Sequence, residues 1–506
     1  MNRQTDAKPR KRQFLAPEFV RAMLAGHSAL GLAFAALIYI VCLSGTLTVF
    51  MHELQRWEQP NAPVIDGRAT PQMLDNAVRN GQAQALKDNA AHDLFVMGPG
   101  TLSPRMTVNY HDHETGVDGS WIADAEGNLV ARIKAPWAEF IANLHMALHL
   151  PRTWGLFLVG LTGVALLSSL ISGLLSHPRL FKDAFYFRRG GSYRLQEADV
   201  HNRLGVWGLP FHVVVSLTGA LLGLSTLIVG VLALAAYDGD SEKAFAEILG
   251  PRPSEDETAA PVPDLQAMIA QVRAQHAEAV ISSVHIGHIG KVGQIVTISM
   301  RSPGHLPFGN PYIFDGNGKS LGDGGQETGS VGQQILGVLQ PLHFGWFGGI
   351  PIKVIYALLG LALTVVTHTG VTIWLARRRD KGRPVPGWER VWAAVGWSQP
   401  LAFATTAIAA LTIGHSRVWV YLATLAASLL LARFTPDGEA TARILRLLSG
   451  VGLTAAVATH AWIWSGYVTD AMAWYVTTAL LATAILIAGP AVRRPRAATS
   501  SRTVPA

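Results

Sequence analysis

The chain is 506 residues long, 49% hydrophobic and only 15% charged, where a soluble globular protein carries roughly 25% charged residues. That balance excludes an ordinary soluble enzyme. The net charge of +7 sits in a few short stretches and is not the signature of a nucleic-acid partner. Cys42 is the one cysteine, which leaves no disulfide framework, iron–sulfur cluster or cysteine-based metal centre.

Eight charge-free apolar runs follow one another at residues 28–52, 153–178, 204–237, 354–376, 391–416, 418–432, 447–469 and 471–492. A helix needs about 20 apolar residues to cross a bilayer core of about 30 Å, so each run is an expected span. The first run is too long for a signal-peptide core and no small-residue cleavage site follows it, so it reads as a retained anchor. Of 41 Lys and Arg residues, 25 fall in residues 1–26, 177–203, 377–390, 433–446 and 493–502. The positive-inside rule then places both termini in the cytoplasm of a bacterial inner membrane. The expected division is a cytoplasmic N-terminus (1–26), a first span (27–52), a periplasmic domain (53–143) and a second span (144–177). A basic loop (178–200), a third span (201–237), a second periplasmic domain (238–342) and a fourth span (343–377) repeat the pattern. A basic loop (378–396), an appended four-helix unit (397–492) and a cytoplasmic tail (493–506) complete it.

The first four spans form an internal repeat. His27-Ser-Ala-Leu30-Gly31 leads to Ser44-Gly45, and His201-Asn-Arg-Leu204-Gly205 leads to Thr218-Gly219, with the same spacing from His to the last Gly. Leu144-His145 precedes Gly163 and Gly173, as Leu342-His343 precedes Gly360 and Gly370. Both halves therefore share one orientation, a parallel repeat about an axis along the membrane normal. The long loops repeat as well. Each opens with an expected helix, 71–84 or 264–275, announced by Pro71 or an Asp264 cap. Strand-like stretches follow at 105–110 and 120–132 in one loop, and at 294–300 and 311–321 in the other. Gly127 and Gly318 mark matching hairpin turns, and 251–263 reads as a Pro-rich linker.

These paired His-x-x-Leu-Gly helices, the Ser-Gly or Thr-Gly at their far ends and the helix-plus-sheet loops resemble the PepSY-associated transmembrane family, over about residues 20–380. The resemblance implies an all-α polytopic bundle, its first four helices a 2+2 parallel repeat, with two small α+β periplasmic domains. Some members reduce siderophore-bound iron, so it also implies haem b in the four-helix core and electron transfer to a periplasmic ferric chelate. Ser44, where threonine is usual, and the helices beyond residue 384 depart from the family pattern.

Histidine inside a membrane suggests function, and haem b requires axial nitrogens within an apolar slot between helices. Matched repeat positions pair His27 with His201 at one surface and His145 with His343 at the other, as axial ligands of two haem irons. The competing reading has interfacial histidines capping helix ends. His149, four residues from His145, is its rival, and His212 and His368 are lower-ranked ligands without repeat partners. His177, His415 and His460 read as structural, and Trp57, Trp154, Trp346, Trp374 and Tyr467 as an interfacial belt. His111 and His113 share a strand face and could reach one ion, though exposed hairpin decoration fits better.

No dinucleotide fingerprint or phosphate-binding loop is present. Electrons would come from a quinol or a separate cytoplasmic reductase. The expected activity is that of a ferric-siderophore reductase, and its partners are the membrane lipid, the donor and the chelate. The alternatives are a non-redox membrane protein that binds peptides or regulates a peptidase, and a transporter component.

Overall fold

The computed structural model describes residues 15–492 apart from 91, 101, 178–179, 181–183, 186–191, 250–255, 257, 415–416 and 467. His415, Tyr467, both termini, most of the basic stretch 178–191 and part of the linker 251–263 lie outside the described residues.

The two modules fold alike. In the first, α1 (Pro17–Ala33) and α2 (Ala35–Thr48) form one apolar span bent by 68°, followed by a short α3 (Met51–Glu58). In the second, α7 (Tyr193–Trp207) and α8 (Leu209–Gly223) are bent by 71°, and α9 (Ser225–Ala236) follows after another break. The expected third span is thus divided. Pro210 supplies one physical reason, since it removes a helical hydrogen bond next to Gly208. The first bend recurs at Phe34, seven residues after His27 as Gly208 is seven after His201, with neither proline nor glycine at the break.

The extramembrane part corrects the expectation of two separate small domains. Loop one contributes α4 (Pro71–Lys87) and strands β1 (Asp93–Met97), β2 (Met106–His111), β3 (Asp118–Ala123) and β4 (Leu129–Arg132). Loop two contributes α10 (Ser241–Leu249), α11 (Leu265–Gln275) and β5 (Val280–Gly287), β6 (Ile295–Arg301), β7 (Asn310–Asp315) and β8 (Ser320–Asp323). All eight strands form one antiparallel sheet in the order β4-β3-β2-β1-β5-β6-β7-β8. The seam pairs Asp93 with Gly287, Phe95 with His285 and Met97 with Ser283. Each meander thereby covers the other's open edge, which would otherwise expose a row of unpaired backbone groups.

One face of the sheet alternates Leu94, Val96, Val108, Val284, Ile286 and Ile298 toward α4 and α11, whose Leu74, Val78, Met268 and Ile269 close a fully buried core. Asp264 caps its helix through Ala267 N, as the sequence implies, and Thr70, just before Pro71, caps the other through Met73 N. Gly127 and Gly318 take φ of +86° and +82° in the two matching hairpin turns, where glycine avoids the strain a side chain would suffer.

The chain then re-enters the apolar region through a helix pair in each module. These are α5 (Pro136–Ala147) with α6 (Arg152–Ser176), and α12 (Val331–Phe344) with α13 (Gly349–Asp380). The spans expected to open at 144 and 343 therefore begin later, and His145 and His343 sit on the preceding short helices. The C-terminal unit comprises α14 (Pro386–Thr412), α15 (Arg417–Phe434), α16 (Gly438–Ile463) and α17 (Ala471–Val492).

Five described helices are long and apolar enough to cross a membrane, and the two bent pairs bring that number to seven, against eight expected. The difference is α14. Its 27 residues suffice in length, but it carries Ser398, Gln399 and Thr406, all buried, with Gln399 accepting from the Tyr421 hydroxyl at 2.5 Å. The unit is docked rather than loosely tethered. Tyr39 donates to the Gly396 carbonyl at 2.9 Å, Arg56 binds Asp470 through two nitrogens, and His460 stacks on Trp57 at 4.2 Å.

Candidate functional site

Two histidine pairs lie at opposite ends of the two-module bundle. Away from the sheet, His27 on α1 and His201 on α7 face each other with ring centroids 6.2 Å apart and planes crossed at 76°. Near the sheet, His145 on α5 and His343 on α12 lie 6.0 Å apart with planes 21° from parallel. Both pairs join equivalent repeat positions, one residue from each module.

Each ring is held by its Nδ1. His27 donates to the Ser169 carbonyl at 2.8 Å and His201 to the Val366 carbonyl at 2.9 Å. His145 donates to the Val41 carbonyl at 2.9 Å. His343 lies 3.0 Å from the Thr218 hydroxyl, which itself donates to the Val214 carbonyl at 2.6 Å and so accepts from the imidazole. Carbonyl acceptors fix the Nδ1–H tautomer and leave Nε2 with its lone pair, the arrangement typical of a metal-bound histidine. At the position equivalent to Thr218, the Ser44 hydroxyl donates to its own helix, at Ile40 O (2.7 Å).

The repeated glycines explain how the rings fit. A Cβ at Gly45 would stand 2.6 Å from His145 Cε1, and one at Gly219 would stand 2.9 Å from His343 Cε1. At Gly173 and Gly370 the corresponding distances to His27 and His201 are 3.0 and 3.4 Å. His145 and His343 pack flush against the bare backbone of a neighbouring helix, where a side chain would obstruct them, whereas one would crowd His27 less and meet His201 at ordinary contact distance. Around His27 and His201 opens a cavity of about 470 Å³, lined by Leu32, Ile38, Leu166 and Leu363, with Arg194 and Arg377 also at its walls.

The other candidates fall outside the pairs. His149 stacks on Phe140 at 4.6 Å and bonds the Phe140 carbonyl at 2.9 Å, so His145 is the paired residue of the two. His368 stacks on Trp392 of the C-terminal unit at 5.4 Å and faces no histidine. His212 is fully buried on α8, near the Leu359 backbone but without hydrogen-bond geometry at either ring nitrogen. His460, expected to be structural, is buried against Trp57 and donates to its carbonyl at 2.6 Å.

A second cavity of about 520 Å³ lies between α3 and the face of the sheet opposite its core. Arg56, Arg68, Arg105 and Arg301 line it together with His52 and Phe308. Arg56 and Arg105 share the carboxylate of Asp470. An unbroken series of ring contacts joins this cavity to the nearer pair. His343 touches Phe344 (5.3 Å), Phe344 stacks on Trp346 (4.4 Å), and Trp346 reaches Phe308 (6.0 Å) and His52 (6.3 Å). Sequence reading assigned Trp346 to an interfacial belt, since its neighbours come from three separate segments.

His111 and His113 do not stand alone either. His92, His285 and His288 join them at the end of the seam, around Asp93. Burial alone would raise the Asp93 carboxyl, but the hydrogen bond and charge of His285, with His92 and His113, hold it at about 2.

The fold and these sites define a polytopic membrane protein built from two like modules that share a single sheet. Residues 24–377 match the family described as PepSY-associated TM region, and the chain belongs to that family. The helices from Pro386 onward lie beyond the match. An uncharacterized protein of Pseudomonas aeruginosa is 30% identical over 254 residues, 48% of this chain and 64% of the relative's length.

Proposed function

We propose that the protein is a transmembrane electron carrier that binds one haem b at each histidine pair and reduces a ferric chelate, of siderophore type, in the periplasm. The observation that carries this reading is the spacing of the pairs. The ring centroids stand 6.2 and 6.0 Å apart, a separation at which both imidazoles of a pair could hold one metal ion between them. Haem at these positions would supply a one-electron couple.

The chain's own part is to hold geometry. Backbone carbonyls and Thr218 orient the four rings, the glycines admit them, and Leu32, Ile38, Leu166 and Leu363 give the cavity around His27 and His201 a largely apolar wall. The His27/His201 pair faces the donor side, where a quinol or a separate cytoplasmic reductase delivers electrons. Arg56, Arg68, Arg105 and Arg301 give the second cavity a positive lining suited to an anionic chelate, and the Phe344–Trp346 contacts bridge it to His343. One electron converts ferric to ferrous iron, whose lower charge weakens its hold on hard oxygen donors.

The test is a reduced-minus-oxidised visible spectrum with haem counted per chain, followed by ferrous release in vesicles reduced from the cytoplasmic side. Two haems per chain, the outer one lost in His343→Ala together with iron reduction, are expected. A haem-free protein from cells making haem normally would overturn the reading in favour of a non-redox role.

A further inference from the structure

We propose that the end of the sheet seam is a binding site for a divalent transition-metal ion, held by His92, Asp93 and His113 and completed by His285 or His288. This site is separate from the membrane histidine pairs and does not depend on what they bind.

The topology brings the ligands together. Asp93 opens β1 and is paired on one side with His111 of β2 and on the other with Gly287 of β5. His92 immediately precedes β1, His288 immediately follows β5, and the Ile289 amide donates to the His92 carbonyl at 3.1 Å across the seam. Five of the chain's 18 histidines thus gather around one carboxylate.

The distances suit coordination. The ligand atoms of His92, Asp93 and His113 all lie within 4.8 Å of one another. His113 Nε2 is 3.0 Å from Asp93 Oδ2, and His92 Nδ1 is 3.4 Å from Asp93 Oδ1. Donors about 2.1 Å from one tetrahedral ion stand about 3.4 Å apart. His92 Nδ1 is shielded from solvent and approaches Asp93 Oδ1 at 3.4 Å without hydrogen-bond geometry, so an ion bound between the two would engage a buried nitrogen that lacks a hydrogen bond. A fourth ligand is close at hand, since His285 Nε2 is 3.8 Å from Asp93 Oδ1 and the His288 ring is 4.1 Å from that of His92.

The chemistry of the set selects the ion. Imidazoles with one carboxylate suit zinc, copper, nickel or ferrous ions, whereas calcium and magnesium prefer oxygen donors throughout. The ion would tie β1 of the first loop to β5 of the second. It would also share a sheet face with the arginine-lined cavity, about 13 Å along β1 from Met97 in the cavity wall.

The experiment uses the full-length protein in detergent, freed of any affinity tag and stripped with chelator. Zinc is counted by mass spectrometry, which haem iron does not disturb, and its affinity is read by competition with a chelating indicator. One zinc per chain with submicromolar affinity is expected, weakened at least about tenfold by His113→Ala and by Asp93→Asn, and unaffected by His305→Ala. Asp93→Asn preserves volume and guards against a folding defect in the histidine variant. Copper in place of zinc should give a paramagnetic resonance spectrum split by imidazole nitrogens, with fewer couplings in His113→Ala. Zinc below one equivalent, or binding unchanged in both variants, would overturn the proposal.

Discussion

Gly45→Ala tests whether the helix glycines exist to seat imidazoles. The added Cβ would lie 2.6 Å from His145 Cε1 and 2.9 Å from Nδ1. Carbon atoms approach comfortably to about 3.5 Å, so the ring must retreat by about 0.9 Å. Its 2.9 Å hydrogen bond to Val41 cannot survive that shift unchanged. Overpacking of this kind costs about 1–3 kcal/mol, against about 1 kcal/mol gained from replacing glycine in a helix. The net loss, roughly 0–2 kcal/mol, corresponds to a hold on whatever the His145/His343 pair binds that is weaker by up to about 30-fold. Gly370→Ala is the control, because its Cβ would stand 3.4 Å from His201, an ordinary contact. It should keep the His27/His201 signal and gain up to about 1 kcal/mol of stability. Difference spectra and haem titration on both purified variants provide the readout. Loss of a haem signal in Gly370→Ala with none in Gly45→Ala would refute the reasoning.

Lys353 and Glu53 form a pair 2.7 Å apart with side chains only 2% and 8% exposed. Lys353→Met should cost about 3–5 kcal/mol by stranding a buried carboxylate, and adding Glu53→Gln should restore most of it, as thermal unfolding in detergent would record. His212→Leu should retain both haem signals and leave stability equal or raised by about 1–3 kcal/mol, since it removes a buried group without a partner; a missing signal would make His212 a ligand. Reporter fusions at Gly116 and Gly318 should behave as periplasmic and one at Asp380 as cytoplasmic, and the reverse pattern would invert the orientation.

The four paired histidines were legible because a duplicated spacing carries long-range information that no single helix contains. His27 and His201 share an offset to Gly45 and Gly219, and the structure brings both members together. Their supporting contacts were not legible. Val41, Ser169 and Val366 act through backbone carbonyls, which every residue possesses. The strands β1 and β5 also escaped the sequence reading. Asp93–Met97 is a short apolar run, Val280–Gly287 is interrupted by Ser282 and Ser283, and each finds one of its two partners in the other loop. For the same reason His111 and His113 read as surface decoration, because His92 lies in a separate turn and His285 and His288 in a separate module. Residues 391–416 read as one more apolar span because they carry no charge, while the buried polar contact of Gln399 with Tyr421 joins two helical segments that only packing brings together.

The seam between β1 and β5 also bears on ancestry. One module alone would have a bare strand edge and histidines lacking their opposite numbers. Two identical copies would meet both needs by assembling as a twofold dimer. Joining the copies in one polypeptide preserves that assembly and removes its dependence on concentration. It also frees the halves to diverge, which a homodimer forbids. Ile38 against His212, and Ser44 against Thr218, are differences of that sort, available only to a duplicated gene whose halves are no longer obliged to be the same.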